Sequence, residues 1–266
     1  MKQTRFHWPR LICAGMSLLL VGACASGPKV SNDFVEQKSN IEKVAVISDV
    51  AVSYDVEGDL HQIDVAECKI LGNDINRLVQ NGLVQKGWSA DNTEVSSVGL
   101  FLKEALEFKV VNKPGQPADQ EPTAEHGPFY IGDNFKQDPR VQDALRTLYR
   151  SLDAYDMKAT GLPPAFFKEA TIVGKHLDCD AMAVVIVGGT AVPLGKSIKQ
   201  AIATSIMTLG MASAWQSSQV QIKFFVLDTA SGKVLLADEN YRKGGLANRK
   251  EILDMTNDMV EQLPKR

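Results

Sequence analysis

The chain has 266 residues, 44% of them hydrophobic, with 29 basic and 32 acidic side chains and a formal net charge of −3. That apolar content supports a substantial core, and the ~240 residues left after a leader suffice for one large domain, with or without an insertion. The acidic balance excludes the basic footprint of a nucleic-acid-binding surface.

Lys2, Arg5 and Arg10 form a basic head, followed from Leu11 to Val21 by an apolar stretch of signal-peptide length. It is too short to serve as a stable bilayer-spanning anchor. The stretch ends in Val21-Gly22-Ala23-Cys24, small residues before a cysteine, which resembles the lipobox of bacterial lipoproteins. The resemblance implies removal of residues 1–23 and acylation of Cys24, with palmitate-type chains, as the first mature residue. Ala25, in place of Asp, then favours the outer membrane, periplasmic face. Losing three basic residues leaves 26 against 32 acidic ones, a net charge of −6, so attachment comes from lipid and not from a basic surface. In that oxidising compartment Cys68 and Cys179 are candidates for a disulfide. Each also lies beside apolar helical positions that suit a buried thiol, and sequence does not test the Cα separation a bridge requires.

Residues 24–40 are polar without a sustained period and read as a flexible tether to a single domain over 41–266. Lys43–Val50 is β-branched and predicts the first strand; residues 51–62 read as a loop. From Ile63 to Lys86 the apolar spacing becomes helical through Ile70, Ile75, Leu78, Leu83 and Val84, with Gly87 as the stop. Trp88 begins an extended stretch. Phe101–Leu106 predicts a short helical piece, followed by a strand through Phe108, Val110 and Val111. Residues 112–138 hold Pro114, Pro117, Pro122 and Pro128 and read as a long inserted loop. Pro139–Lys158 predicts an amphipathic helix, and Pro163-Pro164 leads a second one ending near Leu177. Ala181–Val187 is an apolar strand of the buried kind, and Val220–Asp228 with Lys233–Glu239 forms a hairpin. Asn248 caps a closing helix to Leu263. The fold class is α/β: a mixed β-sheet with helices packed on it, a C-terminal antiparallel hairpin and a closing helix.

Strand, glycine loop and Gly195-Lys196-Ser197 follow the order of a phosphate-binding loop. The spacing fails, because five residues before Gly195 stands Thr190, and Gly189 is one place too early. Pro193 removes an amide such a nest requires. Asp228, the one aspartate placed like a magnesium ligand, opens a hairpin turn. No nucleotide site is expected, and no other cofactor. His61, Asp64 and Glu67 could share a helix face as metal ligands, but Asp64 and Glu67 suit an acidic first turn, so no metal is assigned. Asp178-Cys179-Asp180 reads as a turn, and His176 is near Cys179 in sequence only, so no catalytic residue is assigned and the chain reads as non-enzymatic.

The segment 195–219 stands apart: between Ser197 and Gln219 its one charged residue is Lys199. Ile198, Ile202, Ile206 and Leu209 form an apolar stripe, with Trp215 beyond it and Ala, Ser, Thr, Gly and Met between. Small residues permit close packing, which fits an interior helix, a subunit interface or contact with lipid. The segment lacks the alternating pattern of a membrane β-hairpin.

The lipobox, the Lys43-Val-Ala-Val46 strand, Leu83-Val84-Gln85-Lys86-Gly87, the strand Ala181–Val187 and Leu227-Asp-Thr-Ala-Ser-Gly-Lys-Val-Leu-Leu236 occur in one order. That order resembles the periplasmic α/β lipoproteins related to the curli channel protein CsgG, PelC, LpoB and the N-terminal domain of TolB. The resemblance implies a non-enzymatic accessory of envelope assembly or secretion that self-associates or binds envelope proteins. The rival reading is a periplasmic enzyme or small-ligand binder with residues 112–138 as its lid.

Overall fold

The computed structural model describes residues 27–56, 60–92, 97–102, 107–111, 123–159, 161–191, 219–243 and 248–266. Cys24 and residues 192–218, with Ile198, Ile202, Ile206, Leu209 and Trp215, lie outside the described residues.

The strands are β1 (Lys29–Val30), β2 (Val44–Val56), β3 (Leu60–Asp64), β4 (Ala90–Asn92), β5 (Ser97–Val98), β6 (Glu107–Val111), β7 (Thr123–His126), β8 (Tyr130–Ile131), β9 (Ala181–Ala191), β10 (Gln219–Asp228) and β11 (Val234–Lys243). The helices are α1 (Phe34–Gln37), α2 (Val65–Gln85), α3 (Asp133–Lys136), α4 (Pro139–Asp153), α5 (Phe167–Leu177) and α6 (Arg249–Glu261). The result is the expected mixed sheet with helices packed on it, in the order β1-β11-β10-β9-β2-β3-β6-β7, with β4 and β5 paired to β2 and β8 paired to β5.

Its centre is the parallel pair β2–β9, in register from Val44 opposite Ala181 to Tyr54 opposite Ala191. β9 is continuously apolar because both of its faces are covered. Alternate residues separate two layers. Val44, Val226 and Leu236 face Leu83 of α2 and Leu263 just beyond α6, whereas Lys223 turns the other way, donating to the Asp153 carbonyl at the end of α4. The two helices of the first layer approach closely at Gly82, where any Cβ would collide with Val260.

Local signals account for the helix ends. The Asp138 side chain accepts the Arg140 amide at 2.9 Å, with Pro139 in the first turn of α4. The Asn248 side chain accepts the Glu251 amide at 3.1 Å to start α6. Gly87 ends α2 at φ 89°, a conformation glycine adopts without strain.

Several expectations need correction. The segment read as a tether is built into the domain from Lys29 onward: β1 pairs with β11, and Phe34 is buried against Trp88 at 5.9 Å between ring centroids. Of residues 51–62, read as a loop, 51–56 continue β2 and 60–62 belong to β3, with Ser53 opposite Ile63, while 57–59 lie outside the described residues. Of the stretch Phe101–Leu106 read as helix, Phe101 and Leu102 are bends, and residues 103–106 lie outside the described residues. The second half of the 112–138 insertion is folded as β7, β8 and α3, with Phe135 buried; residues 112–122 are outside the described set.

Cys68 and Cys179 are free thiols and form no disulfide. Cys68 is buried in α2, its Sγ 3.6 Å from the Val52 carbonyl, while Cys179 points back at the Gly174 carbonyl at the end of α5. Different elements hold the two sulfurs, and each is satisfied where it stands.

Candidate functional site

In a parallel α/β sheet, ligands bind in the crevice beyond the carboxyl ends of the strands. Here the residues that follow those ends, 57–59 and 192–218, lie outside the described residues, and residues 97–102 cover the α4 side of β2 and β9 at mid-strand, where Asp49 stands opposite Ile186. Asp49 of β2 is fully buried opposite Ser97, and its Oδ2 accepts the Phe101 amide at 2.6 Å. The amides of Leu100 and Gly99 and the Ser97 hydroxyl also favour the charged carboxylate. Desolvation outweighs them and pushes the Asp49 pKa up to about 6. Gly99 takes φ 76° to turn the chain, with the Phe129 ring packed against it. Leu100 and Phe101 are buried, and the Phe101 ring covers Gly188 of β9. Arg150 of α4 closes the plug by donating to the Leu102 carbonyl at 3.0 Å. A carboxylate aimed at backbone amides inside an apolar seal holds a loop; it does not face a substrate.

The amino end of the pair carries a cavity of about 460 Å³ between the start of β2, the end of α5 and the β10–β11 turn. It is lined by Lys43, Lys175, Asp178, Cys179, Asp180 and Thr229, among others. Asp180 Oδ2 accepts the amides of Glu42 and Lys43 at 3.0 and 2.9 Å. The Thr229 hydroxyl lies 2.8 Å from the carbonyls of both Cys179 and Asp180, and Thr171 donates to the Thr229 carbonyl at 3.1 Å. Lys43 Nζ bridges Asp91 at 3.3 Å and Asp178 at 3.4 Å. Asp178 adopts the left-handed conformation that ends α5. These groups join four element ends to one another.

The cavity holds no activated nucleophile among these residues. Burial pushes the Cys179 thiol up to about 11, so it stays protonated at neutral pH. His176 is turned elsewhere, its Nε2 2.7 Å from the Asn134 carbonyl and its ring against Phe135. Cys68 is pushed higher still, to about 12, by burial.

The remaining candidates also resolve into local roles. Asp64 accepts the Glu67 amide at 3.0 Å and caps α2, while His61 belongs to β3. Among the described residues no group of three or more His, Cys, Asp or Glu could hold a metal. β9 runs straight on through Gly188 and Gly189 to Ala191, past the point where a phosphate loop would have to begin; Gly195, Lys196 and Ser197 lie outside the described residues. Asp228 accepts the amides of Ala230 and Ser231 at 3.0 and 3.2 Å, the hairpin role its position suggested. Sequence reasoning missed Asp49. Its signal was there, an acid inside the apolar run Val44–Val50, where a buried carboxylate demands partners.

No family model and no curated protein matches the chain. Among solved structures it is similar to a PelC dodecamer from Paraburkholderia phytofirmans, at 11% identity and a TM-score of 0.34, covering 85% of this chain and 89% of that one. A variant of the same PelC dodecamer aligns at 10% identity with the same TM-score and coverage.

Proposed function

We propose that this chain is an outer-membrane lipoprotein whose periplasmic α/β domain serves, without catalysis of its own, as an accessory of envelope assembly or secretion. The observation that carries this reading is the fate of the residues just behind Cys24. Lys29 and Val30 extend the sheet and Phe34 enters the core, so the chain is built into the domain from five residues past Cys24. A freely tethered enzyme has no need of that coupling. The sealed region over Asp49 supports the same reading, since this buried acid is committed to holding a loop under the Phe101 ring. We assign self-association to the small-residue segment 195–219, whose near absence of charge suits burial against a second copy.

Two measurements test the reading. Intact mass of the mature protein is expected to show acyl chains on Cys24, and Cys24→Ala to release the protein to the soluble periplasm; a chain that stays in the membrane without acylation would refute the anchor. Crosslinking in detergent is expected to give discrete oligomers that disappear on deletion of Ser197–Ser213. Unchanged assembly would refute the assignment of that segment.

A further inference from the structure

The direction in which β1 joins the sheet governs how a lipid on Cys24 would hold the domain. We infer that it holds the sheet end-on, with the Lys243 end of β11 against the bilayer; this rests on the lipoprotein reading above. The partner in this contact is a lipid surface.

β1 is antiparallel to β11, with Lys29 opposite Ala237 and Val30 opposite Leu236. β11 runs from Val234 to Lys243, so β1 is entered from the Lys243 side and proceeds away from it. Five residue steps separate Cys24 from Lys29, a reach of at most about 18 Å for a fully extended chain. The strand from Ala237 to Lys243 is itself about 20 Å long. Had the tether been free to Asn40, its extended reach would have been about 55 Å and the domain could have taken any attitude. Clamped at Lys29, it cannot stand off by more than a fraction of its own length, and the approach of the chain points one end of the sheet at the membrane.

That end is built from three strand termini. Gln219 of β10 pairs with both Lys243 of β11 and Thr190 of β9, and Ala191 ends β9 beside them. The Arg242–Glu251 pair at 3.8 Å ties the first turn of α6 to the same end, bringing Lys250 with it. Tyr241 is 52% exposed there, and Arg242 and Lys250 are exposed beside it. A tyrosine with flanking cations suits a headgroup layer. The far end carries both signs, Glu42, Asp178 and Asp180 beside Lys43, Lys175 and Lys233, so the direction of the chain, and not charge, selects the end. The two ends lie about 30 Å apart along β11, far enough for a lipid-borne quencher to distinguish them.

The test uses the full acylated chain carrying Cys179→Ser, reconstituted into phosphatidylethanolamine–phosphatidylglycerol vesicles with nitroxide-bearing headgroups. A fluorophore is placed on Tyr241→Cys or Lys250→Cys at one end, or on Ala230→Cys at the other. Quenching several-fold stronger at 241 and 250 than at 230 is expected. Equal quenching, or stronger quenching at 230, on protein whose mass shows the acyl chains would overturn the end-on contact and leave the lipoprotein reading standing. Absence of acyl mass on Cys24 would overturn both.

Discussion

The middle of the β2–β9 pair and its amino end use polar groups for the same purpose at different cost. Above Asp49 the carboxylate is fully buried, its partners are loop amides, and the seal is made by Leu100 and Phe101. At the amino end Asp180 is exposed and also collects two backbone amides, but water competes for every bond. A hydrogen bond in solvent contributes little, while a buried acceptor that loses its partners leaves them all unsatisfied. The comparison teaches that an acid clasping amides is a connector in both places, and that burial alone decides how much the fold depends on it.

The largest effect that would sharpen this contrast is expected at the seal. Phe101→Ala should cost about 3–4 kcal/mol in urea unfolding, because it opens a void over Gly188. A cost below about 1 kcal/mol would mean the loop is not packed as described. Next comes the pH dependence of Asp49. Its folded pKa of about 6 stands above the usual carboxylate value, so the fold favours the protonated form. That contribution is complete below the unfolded value near pH 4 and is lost as pH rises through about 6, an effect on the order of 2–3 kcal/mol. Asp238 of β11, also raised to about 6 by burial, acts in the same direction. Asp49→Asn isolates the first: stability curves from pH 4 to 7 should flatten in the variant relative to the parent chain, and identical slopes would remove Asp49 from the account. At the open end, Thr229→Val should cost about 1–2 kcal/mol, since the Cys179 and Asp180 carbonyls lose their shared donor. The smallest effect is Asp180→Ala, about 0.5–1 kcal/mol. If Asp180→Ala proved as damaging as Phe101→Ala, the contrast between the buried and the open site would collapse.

The elements legible in the sequence are those whose causes are local. Asp138-Pro139, Asn248 and Gly87 announce helix ends by side-chain or backbone preferences that act within three residues, and the Asp228–Gly232 turn announces its hairpin. What stayed hidden depends on distant partners. Lys29-Val30 is a strand only because β11 offers an edge some two hundred residues away, and nothing in a two-residue stretch can signal that. The Asp49 clasp joins residues about fifty positions apart, so the acid could be noticed but its partners could not be named. Residues 123–138 were obscured by prolines that mark turns without showing that the aromatic side chains between them, Phe129 and Phe135, enter the interior.

The pairing of Lys29 and Val30 has a practical corollary for handling the molecule. Val30 and its neighbour cover main-chain groups on the flank of β11 that would otherwise be open to any passing strand. Soluble versions trimmed as far as Gly27 keep that cover; versions begun at Ser31 lose it. The latter should self-pair along the bared flank and come out of solution as sheet-rich aggregate, even though the cut removes no side chain from the interior.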